Sequence, residues 1–187
     1  MSNWHRNMWF DDTQLSWRNP APFLLNPSNL LAYAGMDLFR GTNMNIGFGT
    51  DTPYMIVGSP WLATSFLIQK LDDQHLPGIE FKEIKYRPTG SIYHTRVPKL
   101  DGQSCGGIQL NITNRDAFNP LTTATTIMLL IHQLHPREFQ WEEVGYIDKL
   151  FGSNDLRIIA AQKKPPSHLP ALWAQDVYKF NEFRQTF

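Results

Sequence analysis

Cys105-Gly106-Gly107-Ile108-Gln109-Leu110-Asn111-Ile112-Thr113, followed after a short polar turn by Asn119-Pro120-Leu121-Thr122-Thr123-Ala124-Thr125-Thr126-Ile127-Met128-Leu129-Leu130-Ile131, decides the fold class. In the first part Ile108, Leu110 and Ile112 alternate with Gln109, Asn111 and Thr113, the period of a strand with one buried face. The second part keeps helical spacing at Leu121, Ala124, Ile127, Met128, Ile131 and Leu134. It also opens on Asn-Pro, a capping side chain followed by the residue that suits the first helical position. A half-buried strand leading into a long apolar helix calls for a sheet covered by helices.

Outward from this pair, the same patterns recur. Glu80 to Arg87 reads as a second strand. Ser59-Pro60 is expected to open a helix carrying Trp61, Leu62, Phe66, Leu67 and Leu71, which stops at Pro77-Gly78. Shorter helices are expected from Trp141 to Phe151 and from Ser153 to Lys163, with Gly152 as C-cap and Ser153 as N-cap between them. A last helix after Pro165-Pro166-Ser167 would place Leu169, Leu172, Trp173, Val177, Phe180 and Phe183 on one face. Phe23 to Thr52, in large part, and Pro88 to Gln103 read as irregular, and loops of that length in a compact domain are usually functional or disordered. The resulting fold class is α+β, a small mixed or antiparallel sheet packed by several helices in a single domain, with no internal repeat.

The chain has 187 residues, enough to bury roughly two thirds of its unfolded surface as one domain. Seventeen basic and 17 acidic residues cancel, which argues against a nucleic-acid partner. A single cysteine, Cys105, excludes an internal disulfide. The longest apolar run, Ile127 to Ile131, is far too short to span a bilayer, and no charged segment followed by an apolar one opens the chain as a signal peptide would. No cofactor is expected.

Leu38 to Tyr54, closed by Gly58-Ser59-Pro60-Trp61, is rich in glycine, threonine and asparagine. Glycine permits close backbone approach, and Thr and Asn supply compact hydrogen-bonding groups, so this loop offers a polar, neutral pocket lip that suits a sugar better than a phosphate. Thr42, Asn43, Gly49 and Thr50 are its candidate substrate-binding residues.

The order of motifs in that loop, Phe-x-Gly-Thr-Asn, Gly-x-Gly-Thr, Pro-aromatic and Gly-small-Pro-Trp, resembles the signature of the exo-β-N-acetylmuramidase family, long catalogued as a domain of unknown function. Trp4, Arg6, Met8-Trp9-Phe10-Asp11 and Leu15-x-Trp17 are similar to its W-x-R-x-x-W-F-D segment. Cys105-Gly106-Gly107-Ile108-Gln109 resembles its C-G-G strand, Thr113-Asn114-Arg115-Asp116-Ala117-Phe118-x-Pro120 its T-D-R-x-A-F-x-P element, and Ile147-Asp148-x-Leu150-x-Gly152-Ser153 its I-D-x-L-x-G-S ending. The similarity runs through nearly the whole chain in order.

The resemblance implies a glycoside hydrolase of peptidoglycan-derived sugars, in a family whose members are often exported and are about twice this length. It also implies that a Rossmann-like N-terminal half carries the catalytic residues and that this chain corresponds to the C-terminal half, inactive by itself. Asp11, at a family position, joins the substrate-binding candidates. The chain departs from the family where Arg40 and Ile46 replace acidic residues, Asn45 a small hydroxyl residue and Phe48 an arginine. Those changes alter the groups that would hold hydroxyls or a lactyl carboxylate.

Other motifs have plainer readings. Gly102-Gln103-Ser104-Cys105-Gly106 matches a nucleophile elbow in letters, but it leaves a loop and opens a strand where an elbow ends a strand and opens a helix. Cys105 has no basic neighbour in sequence and reads as a buried thiol. His132 and His135 share a helical face without a third ligand at a supporting offset, so no metal is expected there. Asp11-Asp12, Asp72-Asp73 and Glu142-Glu143 are adjacent in sequence, whereas a glycosidase pair is defined across a cleft. The sequon at Asn111 sits inside a strand and reads as chance. Trp4, Trp9 and Trp17 read as core or inter-domain packing, with a platform that stacks on sugar rings as the functional alternative; the resemblance implies that this segment leads out of the catalytic half and carries a surface that docks it.

Three readings stand at this point: the substrate-side half of a muramidase-like hydrolase, a free-standing module that binds muramic-acid-containing sugars, and an interaction or structural subunit whose pocket has degenerated. No catalytic residue is assigned in the chain.

Overall fold

The structure, a computed structural model, describes residues 4–5, 7–90, 97–143 and 145–185. Three strands, β1 (Ile56–Ser59), β2 (Ile79–Tyr86) and β3 (Cys105–Ile112), form an antiparallel sheet in the order β1-β3-β2. Among the described residues six helices accompany it: α1 (Pro27–Met36), α2 (Thr64–Asp72), α3 (Pro120–Leu134), α4 (Tyr146–Phe151), α5 (Asp155–Ala161) and α6 (His168–Arg184). Short 3-10 turns occupy Phe10–Thr13 and Asp37–Gly41. The architecture is a single α+β domain, and the sheet is antiparallel throughout.

Helix α3 is the centre of the core. Every residue from Thr123 to Ile131 is buried, because α1, α2 and α5 pack around it. Its start follows the sequence signal: the Asn119 side chain accepts from the amide of Thr122 at 2.9 Å, with Pro120 at the first position. The central strand β3 buries Ile108 and Leu110 as its alternation requires, whereas β2 turns charged side chains such as Lys82, Glu83 and Lys85 to solvent along its free edge.

Several boundaries differ from expectation. Ser59-Pro60 does not start a helix. Ser59 ends β1, paired with Gly106, and Pro60 terminates the strand because it has no N–H for the ladder; α2 begins only at Thr64. The region Phe23 to Thr52 holds α1, opened by Asn26-Pro27 in the manner of α3, with the Asn26 side chain accepting from the Asn29 amide at 2.9 Å. Its small and mixed residues carry no clear apolar stripe, which hides it from a periodicity reading.

The expected helix from Trp141 is shorter because the backbone there is already engaged. Trp141 bridges Thr42, and the Glu142 amide donates to the Gly41 carbonyl at 2.9 Å, so α4 waits until Tyr146. Val144 within that span, the stretch 91–96 within the expected loop, and Arg6 of the first motif lie outside the described residues. Gly152 does cap α4 with φ 91°. Ser153 supports the next turn by accepting from the Asp155 amide at 3.3 Å, and α5 then spans Asp155–Ala161. Helix α6 forms as expected, yet of its apolar face Leu169 alone is fully buried.

The N-terminal segment is tied to the body. Trp9 donates its indole N–H to Asp116 at 2.8 Å, Arg115 lies 4.9 Å over the Trp9 ring and pairs with Asp11, and Trp17 donates to the Leu24 carbonyl at 3.2 Å. The tryptophan-rich motif and the Asn114-Arg115-Asp116 element, distant in sequence, therefore meet in one polar and aromatic clasp. No described helix is long and apolar enough to cross a membrane.

Candidate functional site

The loop between α1 and β1 is held along the sheet edge. Asn45 pairs with Gly58 of β1 through two backbone hydrogen bonds, of 3.1 and 3.0 Å, so the loop covers an edge that would otherwise be open. The buried Asn45 side chain then ties the loop to itself and to its neighbours. Its amide donates to the carbonyls of Phe48 (3.0 Å) and Lys99 (2.8 Å), and its oxygen accepts from the Gly47 amide (2.8 Å) and the Tyr86 hydroxyl (3.2 Å). Tyr86 reaches it by crossing Gly58 and Gly107, where a Cβ would sit 2.8 and 2.9 Å from the ring.

In front of this loop lies a cavity of about 830 Å³, within the range of small-molecule sites. One wall is aromatic: Phe23 stacks on Phe48 with centroids 4.4 Å apart, and Tyr54 meets Phe48 edge-on at 5.1 Å. The other is charged, formed by Arg40, Lys99, Glu142 and Glu143 with Tyr146 at the start of α4. Gly49, with φ 82° and its Cβ direction closed by the Thr89 amide at 2.7 Å, lines the lip where a side chain has no room.

Charges on that wall are largely matched from within. Lys99 lies 2.8 Å from Glu142 and donates to the carbonyls of Arg40, at 3.0 Å, and Thr42. Arg40 faces Asp37 at 3.4 Å, and Asp37 also accepts from the Tyr54 hydroxyl at 3.2 Å. Burial first, then the neighbouring Asp37 carboxylate, pushes the Tyr54 phenol well above its ordinary range, so it acts as a neutral donor. Glu142 and Glu143 are neighbours on one wall, and no carboxylate among the described lining residues faces them.

Of the residues singled out from sequence, Gly49 lines the cavity, as do the altered positions Arg40, Asn45, Ile46 and Phe48. The Thr42 hydroxyl donates to the Phe39 carbonyl, Asn43 donates to the Glu138 carbonyl and accepts from the Gln140 amide, and the Thr50 hydroxyl donates to the Gly47 carbonyl. These three side chains brace the loop from behind. Asp11 belongs to the Trp9–Arg115 clasp and is not among the residues lining the cavity. Lys99, Phe23 and Tyr146 were not foreseen. Only the irregular stretch Pro88 to Gln103 pointed toward Lys99.

The other motifs take structural places. Cys105 is buried at the start of β3, and burial raises its pKa, which disfavours the thiolate. Ser104 precedes the strand. The His135 ring accepts from the Ala63 amide at 3.1 Å, whereas His132 packs against Phe139 and Trp141. Asn111 in β3 donates to Glu80 at 3.2 Å.

The loop that lines this cavity, the C-G-G strand and the I-D-x-L-x-G-S helix all fall within residues 31–187, which match the family model described as exo-beta-N-acetylmuramidase NamZ, C-terminal. The chain belongs to this family. Over 157 residues it is 34% identical to the peptidoglycan beta-N-acetylmuramidase NamZ of Bacillus subtilis (strain 168), a match that takes in 84% of this chain and 36% of that relative. The fold is shared with two solved structures of DUF1343 family proteins from Bacteroides fragilis NCTC 9343. One has a TM-score of 0.85 and covers 98% of this chain and 48% of the other; the second has a TM-score of 0.63 and covers 90% and 42%. Both are 21% identical, so they speak for the fold alone. The match thus takes in about a third of the length of the Bacillus subtilis relative and half or less of each of the two solved structures.

Proposed function

We propose that this NamZ-family domain is the substrate-side part of an exo-β-N-acetylmuramidase-like glycoside hydrolase, receiving a peptidoglycan-derived sugar while the bond-breaking groups lie on other sequence. The observation that carries the reading is that the family's signature loop lines the cavity of about 830 Å³ through Arg40, Asn45, Phe48, Gly49 and Tyr54, with Phe23 stacked on Phe48. Aromatic lining residues can pack on the apolar face of a sugar ring while the charged ones meet its hydroxyls. The carboxylate arrangement supports a non-catalytic role, because glycosidases set two carboxyl groups roughly 5 to 9.5 Å apart on opposite sides of the bond. Glu142 and Glu143 share one side, and Glu142 is held by Lys99. A catalytic half would dock on the Trp4–Trp17 segment, where Trp4 is 49% exposed.

Titration of the chain with N-acetylmuramic acid, followed through the amide resonances of Gly47 and Gly49, tests this. Saturable shifts with a dissociation constant of about 1 mM or tighter are expected, as suits a single sugar. Spectra unchanged at ten times that concentration, with the fold intact, would sink the substrate-side reading.

A second reading has its own observation. Phe48 stacks on Phe23 and the cations Arg40 and Lys99 already face carboxylates, so the wall has lost free polar capacity. On that reading the domain is a non-enzymatic interaction subunit with a degenerate pocket, and the same titration separates the two.

A further inference from the structure

Helix α6 is anchored at one end and overhangs at the other. Leu169 is fully buried and Trp173 leans on Phe151 with ring centroids 5.9 Å apart. Further along the same stripe Val177 is 50% exposed and Phe180 61% exposed. Solvent-facing apolar residues continuous with a packed stripe mark an interaction surface better than scattered ones do.

The order of charges along the overhang identifies the partner. Asp176, Phe180 and Arg184 follow one another at successive four-residue steps, so they line up on one face as acid, aromatic and base. Read from the other end, the face presents base, aromatic and acid. It is complementary to itself when reversed. We infer that α6 is a homodimerisation helix, pairing with α6 of a second copy in antiparallel fashion about a two-fold axis at Phe180.

In such an isologous contact each interaction occurs twice. Asp176 of each copy meets Arg184 of the other, and the two Phe180 rings meet at the axis. Asp176 is free to change partners, since its neighbour Lys179 is 4.0 Å away and both side chains are largely exposed. Asp176 and Trp173 also border a groove of about 260 Å³ between α6 and the turn that joins α4 to α5, over which the end of the second helix would pass. The zero net charge of the chain adds no repulsion between copies. One helix seam is smaller than the roughly 1,200 Å² that stable complexes bury, so the dimer is weak and concentration-dependent.

Sedimentation equilibrium of the chain between about 10 µM and 1 mM, a range suited to weak association, provides the test. The expected result is a monomer–dimer equilibrium. Asp176→Arg and Arg184→Asp should each weaken it at least about tenfold, and the double variant should recover it, because the swapped charges are again complementary. Phe180→Ala should abolish dimerisation without moving the thermal melt, since that ring is exposed. A monomer at every concentration overturns the inference. So does a double variant that dimerises no better than the single ones, or association that survives Phe180→Ala and disappears with Trp4→Ala.

Discussion

Lys99 reaches Glu142 at 2.8 Å while its ammonium also takes two loop carbonyls, those of Arg40 and Thr42. One side chain therefore pins the signature loop to the segment that leads into α4, and holds the charged wall of the cavity together. An ammonium satisfied by three oxygens is the arrangement in which a lysine contributes most beyond a surface ion pair.

Lys99→Met keeps the stem and removes the charge. It should cost about 1–2 kcal/mol, with the carbonyls left to water, and the loss should be only partly suppressed by salt because two of the three bonds go to backbone. Denaturant unfolding at low and high ionic strength measures this. A loss that vanishes completely in salt would mean that the Glu142 pairing alone matters.

Asn45 and Asn43 both belong to the loop, and the structure ranks them. Asn45→Ala strands two carbonyls, an amide and the Tyr86 hydroxyl in a buried setting, and should destabilise by about 3 kcal/mol. Asn43→Ala breaks bonds to Glu138 and Gln140 at a half-buried position and should cost about 1–2 kcal/mol. Thermal melts compare them. If Asn43→Ala melts like the wild type and instead weakens binding of N-acetylmuramic acid, its side chain serves the ligand and not the loop.

Strand β3 and helix α3 were legible in the sequence because alternation and an Asn-Pro cap each state a local preference that the tertiary fold agrees with. Helix α1 carries the same Asn-Pro signal but too little periodicity, so only its cap could have revealed it. Ser59-Pro60 fits the end of a strand as well as the start of a helix, and the choice was made by pairing of Ser59 with Gly106, a contact distant in sequence. In the site, Arg40, Ile46 and Phe48 stood out as departures from the family pattern and do line the cavity. Lys99 could not, because a lone lysine in an irregular stretch says nothing of the carbonyls that fold toward it.

The clasp at the N-terminal segment separates two tryptophans of the same motif. Trp9→Ala removes the bond to Asp116 and the ring under Arg115, and should cost about 1–3 kcal/mol. Trp4→Ala, at a 49% exposed position, should change stability by less than about 0.5 kcal/mol. Equal losses in chemical denaturation would show that Trp4 packs as firmly as Trp9, and would remove the argument that it is left for a partner.

His132 supplies a pH dependence whose sign follows from its surroundings. Burial first, and then the positive charge of Lys163, lower its pKa below the ordinary 6.5. Its Nδ1 has no hydrogen-bond partner among the described residues, and its ring packs on Phe139 at 5.4 Å and Trp141 at 5.9 Å. The unfolded chain therefore binds a proton at this position more readily than the folded one. Stability from a neutral His132 is fully present above about pH 6.5 and is lost as pH falls from there through the lower folded value. His132→Phe keeps an aromatic ring between the same neighbours and cannot be protonated. The variant should lose less stability than the wild type on going from pH 7.5 to pH 5, whichever of the two is more stable at neutral pH, and melts across that range measure the difference. Parallel curves for the two proteins would show that His132 charges as easily in the fold as out of it.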